Sequence, residues 1–144
     1  MSPVLQVNNL QVSYYTDAGR ARALDGVDLT LTAGEKLGLV GESGSGKSTM
    51  ALAMMRMIKP PGRIEGGNVI VDGTDLMSLS NEAMLKARLS KIAYIPQGAM
   101  NSLNPVIRIG AQMMDAIKAH EDRAGQASRA ELEARCKRAL ESVD

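Results

Sequence analysis

Hydrophobic and polar residues alternate at the start of the chain. Leu10, Val12 and Tyr14 are interleaved with Gln11, Ser13 and Tyr15, and this period of two predicts a strand over residues 4–15. The polar, glycine-containing stretch 16–22 reads as a turn, and residues 27–32 alternate again before Ala33-Gly34 closes them. Residues 36–40 (KLGLV) are nearly unbroken apolar positions between glycines, the pattern of a strand buried on both faces. A Gly/Ser-rich loop follows at 41–46, then an apolar helix from 47 to about 58 that Pro60-Pro61-Gly62 stops. Residues 68–73 (NVIVDG) predict a short strand ending in an Asp-Gly turn.

Further along, Ser80 is placed to cap a helix through Leu89, and 91–95 (KIAYI) predict another short buried strand. A polar loop spans 97–105, and a helix over 108–120 carries Ile109, Met113, Ala116 and Ile117 on one face. The last helix opens with the capping-box pattern Ser128-x-x-Glu131 and has a stripe of Leu132, Cys136, Ala139, Leu140 and Val143. Strands, then a strand–helix step, then more strand and more helix predict an α/β fold with an antiparallel portion.

Composition narrows the choice of function. The chain has 144 residues, one ordinary domain's length, and 44% of them are hydrophobic, too many for a disordered polymer. Basic residues number 17 and acidic ones 16, with 7 of each sign up to Asp72, so no basic arm or stripe is available for nucleic acid. Only 2% of residues are aromatic, all of them tyrosine, and 10 methionines fill the gap as flexible apolar side chains. The single cysteine, Cys136, forbids an intrachain disulfide and fits a reducing compartment. The N-terminus has neither a basic nor an apolar leader region, and the longest apolar run, 50–55, ends at Arg56. The expectation is a soluble, intracellular chain.

The strongest chemical motif is Gly41-Glu42-Ser43-Gly44-Ser45-Gly46-Lys47-Ser48-Thr49. It satisfies G-x-x-x-x-G-K-[ST] and lies between a predicted buried strand and a helix, where the chemistry requires it. Its glycines let successive N–H groups turn onto a phosphate, and the helix N-terminus adds partial positive charge. Lys47 would reach the β- and γ-phosphates of a nucleoside triphosphate, and the Ser48 hydroxyl would ligate Mg²⁺.

With the preceding LDGVDLTLTAGEKLGLV, this loop resembles the start of an ABC transporter ATPase domain. The later YIPQGAMNSLNP is similar to the Q-loop region of the subfamily serving oligopeptide, dipeptide and nickel importers. The resemblance runs from Val4 to His120 and weakens into the last helix. It implies a P-loop ATPase core with an N-terminal antiparallel β subdomain and the beginning of a helical subdomain. The β subdomain would take 1–35 and 64–76, the P-loop core 36–63 and 77–98, and the helical subdomain 99–144.

The resemblance also implies roles. Residues 41–49 would bind ATP. Gln97 would contact Mg²⁺ and the attacking water, although Pro96 and Gly98 stand where the family more often has Phe and an acidic residue. The loop 97–105 would meet a membrane permease, a second ATPase subunit would complete the nucleotide sandwich, and an extracytoplasmic substrate-binding protein would act indirectly. The location implied is the cytoplasmic side of the plasma membrane. Tyr14 matches the aromatic residue that stacks on adenine, with Tyr15, on the opposite face of the strand, as its rival.

Other residues take plainer readings. Asp72 imitates the end of a Walker B strand but belongs to an Asp-Gly turn. His120 sits at a helix end, Cys136 lies on an apolar helical face, and Met50, Met54 and Met57 have core spacing. Glu131/Arg135 and Glu133/Lys137 read as solvated i,i+4 pairs. No LSGG string, Asp-Glu-terminated strand or second histidine occurs, so the resemblance implies the N-terminal part of a cassette that does not turn over alone and exposes the apolar faces of 36–40 and 91–95. Other classes compatible with the loop are a nucleotide-binding module without turnover and a soluble ABC ATPase outside transport. The single cysteine and the lack of long heptads speak against the latter.

Overall fold

The computed structural model describes residues 2–98, 103–120 and 127–143. The chain forms two compact units, Met1–Tyr94 and Ile95–Asp144. In the first, β1 (Pro3–Thr16) is the longest-paired strand, with β2 (Gly19–Thr32) on one side and β3 (Gly62–Val71) on the other. A short β4 (Thr74–Asp75) completes the antiparallel order β2-β1-β3-β4. Asp72 and Gly73, at φ 46° and 74°, make the tight β3–β4 turn, which confirms the turn reading of Asp72.

Two positions in β1 show how sequence becomes a core. Val7 and Leu10 are three residues apart and would face opposite sides of a regular strand. Pairing slips between Val7 and Leu10 against β2, and between Asn8 and Gln11 against β3. Asn9, at φ 48°, absorbs the extra residue. Val7, Leu10 and Val12 are therefore all fully buried. Gly67 stands opposite this bulge at φ 92°, where a Cβ would lie 2.5 Å from the Asn9 carbonyl oxygen.

The sheet's apolar face is covered by α1 (Lys47–Met54), through Met50 and Ala53, and by α2 (Asn81–Ser90), through Met84 and Ala87. Burying a side chain such as Met84 contributes about 1.5–3 kcal/mol. Ser80 caps α2 as expected, its Oγ accepting from the Ala83 N–H at 3.2 Å. Arginines join the two helices. Arg88 donates to the Met55 and Arg56 carbonyls, both at 3.1 Å, and Arg56 donates to Leu79 O at 2.6 Å and Asn81 Oδ1 at 3.1 Å.

Four local expectations are corrected. Stretch 16–22 is mostly strand, because Tyr15 pairs with Arg20 and Thr16 with Gly19 around a two-residue turn. The helix after the loop ends at Met54 rather than 58: Arg56 leaves the helical region at φ 50°, and its guanidinium bonds Leu79 O and Asn81 Oδ1. Residues 36–40 are not a strand; Leu37, Leu39 and Val40 are 50%, 50% and 89% exposed. Of 91–95, only Ile92 makes an isolated bridge, with Arg88, and Ile95 is 85% exposed. Parallel strands exist only between hydrogen-bonding neighbours, and no strand among the described residues flanks either segment.

In the second unit, α3 (Ile109–His120) packs with α4 (Arg129–Glu141). Ser128 caps α4, accepting from the Glu131 N–H at 3.3 Å, and Leu132 and Cys136 are buried. Glu133 pairs with Arg129 at 2.8 Å and Lys137 with Glu141 at 3.8 Å, one turn out of step with the expected Glu133/Lys137 pairing. Among the described residues no helix is long and apolar enough to cross a membrane.

Candidate functional site

The glycine-rich loop forms a ring closed by its own lysine. Lys47 Nζ donates to Gly41 O at 2.7 Å, Glu42 O at 2.6 Å and Ser45 Oγ at 3.1 Å. The ammonium is thereby tied to the start of the loop at residues 41, 42 and 45. Ser45 N donates to Glu42 O at 3.2 Å, tightening the turn beneath it. A Cβ on Gly41 would sit 2.9 Å from Ser45 Oγ, so a side chain there would push the serine hydroxyl aside.

Gly46 does the structural work at the base. It is the N-cap of α1, at φ 93°, a conformation that costs an L-residue about 1–2 kcal/mol. Its α-carbon is pressed against β2: an added Cβ would lie 2.8 Å from Ala23 O and 3.1 Å from Leu24 Cδ2. Ala23 is the extra residue where the β1–β2 register slips between Val12/Leu24 and Ser13/Arg22. The antiparallel sheet therefore seats the loop directly. No side chain caps α1 and no acidic residue occupies its first turn, which leaves that helix end electropositive. Ser48 is exposed and Thr49 half-buried in the same turn, beside the exposed Glu42, Ser43 and Gly44.

These features fit a phosphate chain with its metal. The Lys47 ammonium, the uncapped helix end and the glycine-rich backbone suit polyphosphate, and the Ser48 hydroxyl is a hard oxygen donor of the kind Mg²⁺ takes. Among the described residues no cluster of three or more His, Cys, Asp or Glu side chains offers a separate metal site.

The two tyrosines have opposite surroundings. Tyr14 is half-buried against the core, and Gly62 lies under its ring. Tyr15 is 42% exposed; its hydroxyl donates to Glu65, and the Arg63 guanidinium lies 5.1 Å from its ring centroid. The hydrogen bond to Glu65 raises the Tyr15 pKa, and the same bond, with that from Ser13, holds the Glu65 carboxyl below its usual range. Sequence reading missed Ala23 and Glu65, since bulges leave no periodic trace, and read Gly62 only as part of a helix stop, since a missing side chain leaves none either.

Gln97 belongs to the second unit, exposed in a turn with Gly98. Of the loop 97–105, residues 99–102 lie outside the described residues. Asn104 is held to α3: its N–H donates to Gln112 Oε1 at 2.9 Å, and Gln112 Nε2 donates to Asn104 O at 3.0 Å and Ile107 O at 2.8 Å. Cys136 is a buried free thiol in α4, and His120 is exposed at the end of α3.

A loop of this build, seated between an antiparallel sheet and a helix, has the form of a phosphate-binding loop. A family model described as ABC transporter matches residues 24–144, and the chain belongs to that family. It is 42% identical over 121 residues to the oligopeptide transport ATP-binding protein OppD of Haemophilus influenzae, covering 84% of this chain and 37% of that protein. A putative peptide import ATP-binding protein of Brucella abortus is 39% identical over 143 residues, covering 99% of this chain and 41% of its own length. The dimeric structure of a bacterial ABC transporter cassette superposes with a TM-score of 0.78 at 25% identity, covering 95% of this chain and 56% of the other. A second structure of that cassette, a post-hydrolysis state bound to ADP and Pi, superposes with a TM-score of 0.73 and shares the fold. The chain thus spans 37% to 41% of the length of these two curated relatives.

Proposed function

We propose that this chain is the nucleotide-binding part of an ATPase subunit that drives import of peptides or nickel through a membrane permease. The observation that carries the reading is the Lys47 ammonium held inside the loop by Gly41, Glu42 and Ser45, at the uncapped start of α1. Residues 41–49 bind the triphosphate of ATP: backbone N–H groups and the helix end face the phosphates, Lys47 supplies a fixed positive charge, and Ser48 holds Mg²⁺. When bound, the metal neutralises charge on the β- and γ-phosphates. Tyr14 provides the adenine platform. It is favoured over Tyr15, whose hydroxyl and ring are committed to Glu65 and Arg63.

Gln97 keeps its role as the amide that orients water and metal on the strength of KIAYIPQ before it and SLNP after it, and it is exposed in its turn. The loop 97–105 is the permease contact, and a second ATPase subunit supplies the facing half of each nucleotide site. The extracytoplasmic substrate-binding protein takes part indirectly, and the working location is the cytoplasmic face of the membrane. The sequence carries no LSGG string and one histidine, His120, so the chain by itself binds ATP without sustained turnover.

Photolabelling with 8-azido-ATP tests the reading. The expected result is labelling that excess MgATP blocks, that maps to the peptide containing Tyr14 and that Lys47→Ala abolishes. Labelling indifferent to both MgATP and Lys47→Ala would overturn it.

A further inference from the structure

The ring of Tyr14 rests on a seat built by β3. An added Cβ on the buried Gly62 would lie 2.7 Å from Tyr14 Cε1 and 2.7 Å from Ile58 Cγ2, so the absence of a side chain there sets how deep the ring sits. Tyr14 and Gly62 are direct partners in the β1–β3 register. Two residues on, β3 departs from that register: Val12 pairs with Ile64 but Gln11 with Gly66, leaving Glu65 as the extra residue of a bulge. Bulges redirect a side chain, and this one places the Glu65 carboxylate beside the end of β1. There it accepts from Ser13 Oγ at 2.9 Å, from the Tyr15 hydroxyl and from the Arg20 guanidinium.

Arg20 also donates to Ser13 Oγ at 3.1 Å, so one carboxylate binds the residues on both sides of Tyr14 and the facing strand β2. Tyr15 N donates to Pro61 O at 3.1 Å, which pins β1 beyond Tyr14 to the segment carrying Gly62. Tyr14 itself makes none of these bonds. Its backbone pairs with Ala21 and Gly62, these bonds brace it on both sides, and its ring meets the bare Gly62.

We propose that Gly62 and Glu65 are positioning residues that hold the Tyr14 ring at the depth and angle required to stack on a purine base. The inference rests on the reading of Tyr14 as the adenine platform. It makes base recognition depend on β3 while leaving the phosphate loop independent of it. A base-free triphosphate should then be insensitive to both residues.

The test compares binding of MgATP with binding of magnesium tripolyphosphate to the chain and its variants. Glu65→Ala and Gly62→Ala should weaken MgATP by about tenfold, the scale of one lost base–aromatic stack, and change tripolyphosphate by less than about twofold. Glu65→Gln should restore most of the MgATP affinity, because its amide oxygen still accepts from Tyr15 or Ser13. If Gly62→Ala does not fold, the Glu65 pair carries the comparison. Equal weakening of both ligands, or unchanged MgATP binding, would overturn the proposal. A Tyr14→Ala variant that binds MgATP normally would overturn the platform reading itself, whereas normal Tyr14 dependence with indifferent Glu65 variants would overturn the seat alone.

Discussion

The α-carbon of Gly46 is packed so closely on Ala23 that a Cβ would come within 2.8 Å of the Ala23 carbonyl oxygen. The base of the loop is thereby seated on the bulge in β2.

Gly46→Ala should therefore damage stability and binding together. The strain of φ 93° and the clash with Ala23 predict a loss of about 2 kcal/mol or more, read as a lower urea midpoint, with weakened MgATP binding. Unchanged stability would show that the loop is not seated on β2.

Acid should loosen the polar network around Ser13. The Tyr15 hydroxyl, then Ser13, holds the Glu65 pKa down, and the Thr32 N–H and hydroxyl do the same for Glu35. Both contributions are complete above the ordinary carboxylate pKa and vanish as pH falls through the lowered folded values. Tyr15 has the opposite sign: its raised pKa gives stability that is present below the ordinary tyrosine value and lost as pH rises through the folded one. Glu65→Gln should flatten the acid limb of stability against pH; an unaltered limb would remove Glu65 from the account.

Arg88 should matter more than a surface arginine. Its guanidinium caps the Met55 and Arg56 carbonyls at the end of α1, so Arg88→Ala leaves two acceptors short of partners. A loss of about 1–3 kcal/mol is expected in denaturant unfolding, against less than about 0.5 kcal/mol for Arg138→Ala at an exposed position of α4.

Leu37, Leu39 and Val40 expose apolar side chains on backbone that no strand pairs among the described residues. Exposed apolar side chains grouped in this way favour association. Leu39→Lys should reduce concentration-dependent light scattering without lowering the melting temperature; equal scattering would place the sticky surface elsewhere.

What the sequence made legible was whatever is local. The loop 41–49, the Ser80 and Ser128 caps, the Asp72-Gly73 turn and the α3 and α4 spans all follow from short-range chemistry, and all stand in the structure. Residues 36–40 and 91–95 did not, because an apolar run specifies a strand only when other strands flank it. The seat of Tyr14 was hidden for a related reason. Glu65 acts through a bulge and Gly62 through the absence of a side chain, and neither alters the hydrophobic pattern. Arg20, read as part of a turn, is a strand residue whose role depends on pairing across β1.

The central claim is that Lys47, held within the loop by Gly41 and Glu42, is the charge that binds the phosphates of ATP. Isothermal titration of MgATP into the wild-type chain and into Lys47→Ala, with circular dichroism confirming that both are folded, tests it most directly. The account predicts measurable binding to the wild type and a loss of about tenfold to a hundredfold in the variant, the scale of one charge-assisted contact. Equal affinity in two folded proteins would contradict it.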